Sequence, residues 1–186
     1  MEFKNIDEIQ ETWQFVSALH DGQKYGGEGL NQDVEYINHI GGVFFEIVNV
    51  ASFSFNFDVD LAAKCALLHD SLEDTRVTYA ELFLRYGEQT AEGVLALTKN
   101  VLLTDRTAQM RDSLKRIKKQ PKEIWAVKLA DRICNLFAPP YYWDNQRKKE
   151  YLEEAYLIYG ELKEGNSYLA GRLMNKIENY RHFINY

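Results

Sequence analysis

The sequence predicts an all-α protein, a single domain spanning residues 1–186 and built as a bundle of about eight or nine helices. Three observations carry this expectation. Apolar residues recur at three- and four-residue spacing in almost every segment. Helix-start and helix-stop residues punctuate the chain at intervals that suit helices. The one aromatic run with strand-like composition, Ser52 to Phe57, has no second strand to pair with and reads as a packed connector.

In chain order, Ile6, Ile9, Trp13, Val16 and Leu19 share one helical face, with Asn5 or Asp7 placed to cap it. That helix runs out at His20-Asp21-Gly22-Gln23-Lys24. Tyr25 to Glu35, with Gly26, Gly27, Gly29, Asn31 and Asp33, should be a loop. A second helix begins near Tyr36 and carries Tyr36, Ile37, Ile40, Val43, Phe44, Ile47, Val48 and Val50, with His39 in its first turn. Asp58 caps a third, whose apolar run from Leu61 to Leu68 ends abruptly at His69-Asp70. Thr78-Tyr79-Ala80-Glu81 is a capping box for a helix that stops at Gly87, and Glu88 to Lys99 forms the next. Thr104-Asp105 caps an amphipathic segment to about Lys119. Pro121 opens the helix that reads through Leu136, proline being tolerated in a first turn. Pro139-Pro140 breaks the chain before an exposed-looking Tyr141-Tyr142-Trp143. Two more helices, about Arg147 to Lys163 and Asn166 to Phe183, complete it. No internal repeat, low-complexity tract or interdomain linker interrupts the pattern.

The hydrophobic fraction of 46% and charged fraction of 27% are those of an ordinary globular protein. No run of apolar residues is long enough to span a membrane. Met1-Glu2-Phe3-Lys4 lacks the basic flank and apolar stretch of a secretory signal. Cys65 and Cys134 lie inside apolar helical patterns, as buried thiols of a reducing compartment do, so a cytoplasmic location is expected. A net charge of -6 argues against nucleic-acid or membrane-surface partners, and oligomeric state is not legible. It leaves room for a small anionic substrate where a metal and a few cations reverse the local field.

Four side chains stand in the wrong environment: His39, His69, Asp70 and Asp131, each on or at the end of an apolar helix. Adjacent residues diverge by about 100° on a helix, so His69 and Asp70 can share an ion only near a helix end or kink. Glu73 and Asp74 follow about one turn later. Two imidazoles and two carboxylates suit Mn, Fe or Zn with positions open to water and substrate, which is hydrolase chemistry. Ordinary readings remain beside this one. A histidine on an apolar face is more often a satisfied core residue, Glu73 and Asp74 make an acidic turn, and Asp131 has Lys128 and Arg132 as ion-pair candidates, although both would more naturally point outward.

The ordered pattern of His39, His69-Asp70 and Asp131 resembles the HD-domain phosphohydrolases. More narrowly, the chain is similar to the hydrolase domain of RelA/SpoT proteins and their small stand-alone relatives. The resemblance rests on Ala18-Leu19-His20-Asp21-Gly22-Gln23-Lys24, on Tyr36-Ile37-Asn38-His39, on Ala66 through Thr75 (ALLHDSLEDT), and on Val127 to Leu136 (VKLADRICNL). Thr78 to Thr98 also reads like the family's helix pair. The resemblance implies that His39, His69, Asp70 and Asp131 bind Mn2+ and that Glu73 and Asp74 position and activate the attacking water. It further implies that Asn135 contacts the nucleotide with Arg132 beside it, that Lys24 is the cation left near the pyrophosphate, and that His20 is structural. One aromatic between Tyr151 and Tyr159 either stacks on a purine or packs in the core.

The implied activity is removal of the 3′-pyrophosphate from guanosine or adenosine polyphosphate alarmones, without a synthetase domain. An HD-type phosphatase acting on a nucleoside monophosphate or NADPH is the alternative, and a non-catalytic nucleotide-binding module the third reading. The chain departs from the family where an Arg-Lys pair usually follows the Gly-Gln: here stand Lys24-Tyr25-Gly26. Lys99, Arg76 and Arg106 are candidates to replace it.

Overall fold

The computed structural model describes residues 3–26, 33–52, 54 and 56–185. The expected loop residues 27–32, the connector residues Phe53 and Phe55, and the first two residues therefore lie outside the described part. Nine α-helices run in order among the described residues: α1 (Ile6–Leu19), α2 (Ile37–Ala51), α3 (Val59–Leu68), α4 (Ser71–Asp74), α5 (Tyr79–Leu97), α6 (Arg106–Ile117), α7 (Lys122–Asn135), α8 (Asn145–Leu162) and α9 (Ser167–Tyr180). A short 3-10 turn, Arg181–Phe183, follows α9.

The helix starts are set by local chemistry. Asn5, Asp58, Asp105, Asp144 and Asn166 each accept a backbone N–H from the first turn of their helix. Thr78 and Glu81 complete a reciprocal capping box. The expected break at Gly87 is a kink inside α5: Gly87 has φ 80°, which a residue with a Cβ rarely adopts, and the helix resumes beyond it.

Helices α2, α3 and α7 pack on one another at the centre, with α1 and α5 against α3, α9 behind α7, and α8 against α6, α7 and α9. Ile40, Ile47, Leu67, Leu68, Leu129 and Ile133 are fully buried between them. Burying a side chain of this size is worth roughly 1.5–3 kcal/mol, so this trio forms a stiff platform. The residues of interest project from its ends.

Two features differ from the expectation. Tyr25 to Glu35 is not all loop: Lys24–Gly26 (β1) and Asp33–Glu35 (β2) pair antiparallel, Lys24 opposite Glu35 and Tyr25 opposite Val34. Three-residue strands carry no readable alternation, and their pairing depends on the fold that brings them together. Lys128 does not point outward. It is buried, because α7 has no solvent face over that stretch. No helix among the described residues is long and apolar enough to cross a membrane.

Candidate metal centre

The vicinal His69 and Asp70 fall between two helices. Leu68 ends α3, and Asp70 stands at the N-cap position of α4 with φ −100° and ψ −1°, so the chain has left the helical path. Both side chains thereby face one point. His69 Nε2 lies 2.9 Å from Asp70 Oδ2, and His39, from the first turn of α2, brings its Nε2 to 3.2 Å from that of His69. Asp131 of α7 adds Oδ1 at 3.4 Å from His39 and 3.9 Å from His69. Ligand atoms of His39, His69 and Asp70 all lie within 4.8 Å of one another.

The donor set fits a divalent cation. His69 Nδ1 is 2.8 Å from the Ala66 carbonyl, which can only accept, so Nδ1 carries the hydrogen and Nε2 is left to face the cluster. Two buried imidazole nitrogens turned toward each other and toward two carboxylates need a shared positive charge, supplied by protons or by a metal. Without metal, protons do it. Burial alone would lower the pKa of His69, but Asp70 and Asp131 outweigh it and raise it to about 9. Burial would likewise raise Asp70 and Asp131. Instead, His69 and His39 hold Asp70 low, and Lys128 with both histidines holds Asp131 well below the usual carboxylate range.

The ion pair expected as the ordinary explanation of Asp131 is present: Lys128 Nζ donates to Oδ2 at 2.8 Å. It occupies one oxygen and leaves Oδ1 turned to His39, with Asn135 Nδ2 donating to it. Both readings of Asp131 hold at once. Lys128 is the brace that presents it.

Around this cluster opens a cavity of about 460 Å³, of the size that takes a nucleotide. Glu73 and Asp74 line it beside Asp70, and Asn135, Arg132 and Tyr151 line it farther along. Glu73 is held by Lys99, whose Nζ donates to Oε1 at 2.6 Å and whose backbone N–H donates to Oε2 at 3.0 Å. Asp74 is pushed up in pKa by burial and by Asp70 and Glu73. Arg132 is buried, paired with Glu154 and stacked 4.4 Å from the Tyr151 ring centroid. Lys24 is elsewhere. It sits on β1, bonded to Glu35, and is not among the described cavity-lining residues. Of the candidates to replace the missing basic pair, Lys99 and Arg106 line the cavity and Arg76 does not.

The residue the sequence reading left among the apolar positions of α2 is Tyr36. Its hydroxyl donates to Asp70 Oδ2 at 2.6 Å, and burial together with Asp70 raises its pKa. The available signal was a tyrosine one turn before His39, whose hydroxyl has no use on a core face.

A helical bundle that gathers two histidines and two aspartates from two helices and one helix junction defines a protein of the HD-domain class. No family model matches the chain. It is 30% identical over 169 residues to the guanosine-3′,5′-bis(diphosphate) 3′-pyrophosphohydrolase MESH1 of Xenopus tropicalis, spanning 89% of this chain and 90% of that protein. The human MESH1 relative is also 30% identical, over 170 residues and 90% of its length. A guanosine-3′,5′-bis(diphosphate) 3′-pyrophosphohydrolase of Aquifex aeolicus is 30% identical over 162 residues, which is 21% of that longer protein. The fold matches a solved metazoan orthologue of SpoT, described as hydrolysing ppGpp, with a TM-score of 0.79, 23% identity and coverage of 95% of this chain and 97% of that one. The chain therefore belongs to the guanosine-3′,5′-bis(diphosphate) 3′-pyrophosphohydrolase family, alongside its MESH1 members.

Proposed function

We propose that this protein is a Mn2+-dependent hydrolase that removes the 3′-pyrophosphate from guanosine polyphosphate alarmones, leaving GDP or GTP and pyrophosphate. The observation that carries the reading is the meeting of His39 with His69, Asp70 and Asp131, the last three lining, with Glu73 and Asp74, one nucleotide-sized cavity. Its relatives carry the name of this activity. The whole chain acts as one HD-type domain, and two buried free cysteines suit the cytoplasm.

In this reading the two imidazoles and two aspartates hold the ion, which when bound supplies a Lewis acid and an acidified water. Asp74, raised in pKa by burial and by its acidic neighbours Asp70 and Glu73, orients the attacking water and takes its proton. Glu73, kept in place by Lys99, lines the same cavity. Lys128 holds Asp131 to its task, and Asn135 and Arg132 border the nucleoside. Tyr151 offers a ring face on which a purine stacks.

Incoming phosphates need a cation. Lys99, Lys128, Arg132 and Arg147 each have a carboxylate within ion-pair distance, while Arg106 has none among the described residues. Arg106, at the start of α6, takes the role of the absent basic pair, with the helix N-terminus adding to the field.

Incubating purified, Mn2+-loaded protein with ppGpp, pppGpp and their adenosine counterparts tests the reading. Pyrophosphate release from a guanosine substrate is expected. Absence of release from all of them sinks it. The same screen extended to nucleoside monophosphates and NADPH, with phosphate release as the signal, decides the second reading, which the position of Lys24 outside the cavity favours.

A further inference from the structure

Asp70, at the N-cap position, and Asp74, the last residue, depend on a helix of four residues, Ser71–Asp74, with no side-chain cap of its own. One turn of helix is not self-supporting, so something else must fix the directions of Asp70 and Asp74. The structure supplies a brace from outside it. Tyr36 Oη lies 2.6 Å from Asp70 Oδ2 and 3.5 Å from Asp74 Oδ2, the one described side chain within reach of both. Gln23 Nε2 donates to the Asp74 carbonyl at 2.8 Å. The Tyr36 N–H donates to the Gln23 carbonyl at 2.9 Å, so the two braces are themselves joined.

The polarity of this chain of bonds is forced. The Asp74 carbonyl can only accept, which fixes the Gln23 amide and turns its Oε1 toward His20 Nδ1, 2.7 Å away. His20 must therefore donate from Nδ1. Its buried ring then stacks on Tyr36, with centroids 5.2 Å apart and an interplanar angle of 26°. Tyr25 meets the same ring edge-on at 6.1 Å. The Tyr36 ring is thus held on two sides, and only its hydroxyl is directed at the carboxylates.

We propose that Tyr36 is a positioning residue: its hydroxyl aims Asp70 at the metal site and, with Gln23, fixes α4 so that Asp74 faces the same point. The inference rests on the proposed metal-dependent reading of that site. A tyrosine that merely packs would need no oxygen, and phenylalanine would replace it without consequence for the ion.

The test compares Tyr36→Phe and Gln23→Ala with the full-length wild type in Mn2+ titrations, followed by kcat and KM for ppGpp at saturating Mn2+. Melting temperature serves as the folding control. Tyr36→Phe should bind Mn2+ about 10- to 100-fold more weakly. At saturating Mn2+ its kcat should stay low while KM is little changed. Gln23→Ala removes the amide bonded to the Asp74 carbonyl and to His20 but leaves the Tyr36 hydroxyl on Asp70, so it should keep its Mn2+ affinity and lose kcat. A Tyr36→Phe protein with wild-type Mn2+ affinity overturns the proposal. If the wild type releases pyrophosphate from no nucleotide, the functional reading fails, and the Mn2+ titration alone still decides this one.

Discussion

His39 Nε2 lies 3.4 Å from Asp131 Oδ1, although one sits at the start of α2 and the other near the end of α7. The packing of α2 on α7 brings them together, and Lys128 turns the aspartate so that one oxygen faces the imidazole. Replacing Asp131 by Asn keeps the volume and removes the charge that two histidines and a cation share. Asp131→Asn should lower Mn2+ affinity by at least about 100-fold and activity with it. Isothermal titration with Mn2+ checks this, and an affinity within a few-fold of wild type would count against a role for Asp131 as ligand.

Metal binding should release protons. In the metal-free protein His69 has a pKa raised to about 9, so near neutral pH its Nε2 carries a hydrogen that a metal must displace. Mn2+ affinity is then expected to climb with pH, by up to about tenfold per unit, and to level off near pH 9. Stability of the metal-free protein runs the other way. The folded pKa exceeds the unfolded value of about 6.5, so the contribution of His69 is complete below that value and is lost as pH rises through about 9. Titrations in buffers of differing ionisation enthalpy count the protons, and a pH-independent affinity would contradict the assignment.

Arg106 and Lys24 divide the question of phosphate recognition. Arg106 lines the cavity without an acidic partner among the described residues, whereas Lys24 is bonded to Glu35 across the ribbon. Arg106→Ala should raise KM for ppGpp by about tenfold, an effect that added salt diminishes. Lys24→Ala should leave KM close to wild type. Steady-state kinetics at two salt concentrations would show the reverse ordering if Lys24 is the phosphate ligand.

Close packing beneath the site is tested at Gly93. A Cβ there would lie 2.6 Å from Ile124 Cδ1 and 2.9 Å from Cys65 Sγ, so α5 can approach α3 and α7 only because this residue is glycine. Gly93→Ala gains helix propensity of up to about 1 kcal/mol but overpacks a core that tolerates little. A net loss of about 1–2 kcal/mol in urea unfolding is expected, and a stabilised variant would show that the contact relaxes freely.

How far the sequence speaks depends on whether the determinant is local. Asn5, Asp58, Thr78 and Asp105 were readable as caps because a cap bonds its own first turn. His39, His69, Asp70 and Asp131 were readable because polar groups on apolar helices demand partners, and the structure brings all four together. The ribbon was not readable, since the pairing of Lys24 with Glu35 arises from register between two very short strands. Neither was the inward turn of Lys128: α7 is buried all round there, so no polar face existed to receive it. Tyr36 escaped for a related reason. At helical spacing a tyrosine reads as apolar surface, and only the position of its oxygen reveals the contact with Asp70.

The most direct test of the whole account is a crystal of the protein grown with Mn2+ and measured across the manganese absorption edge. One anomalous peak within ligand distance of His39, His69, Asp70 and Asp131, with Glu73 and Asp74 facing it, is the predicted result. A peak bound by other residues, or none at saturating Mn2+, would contradict it.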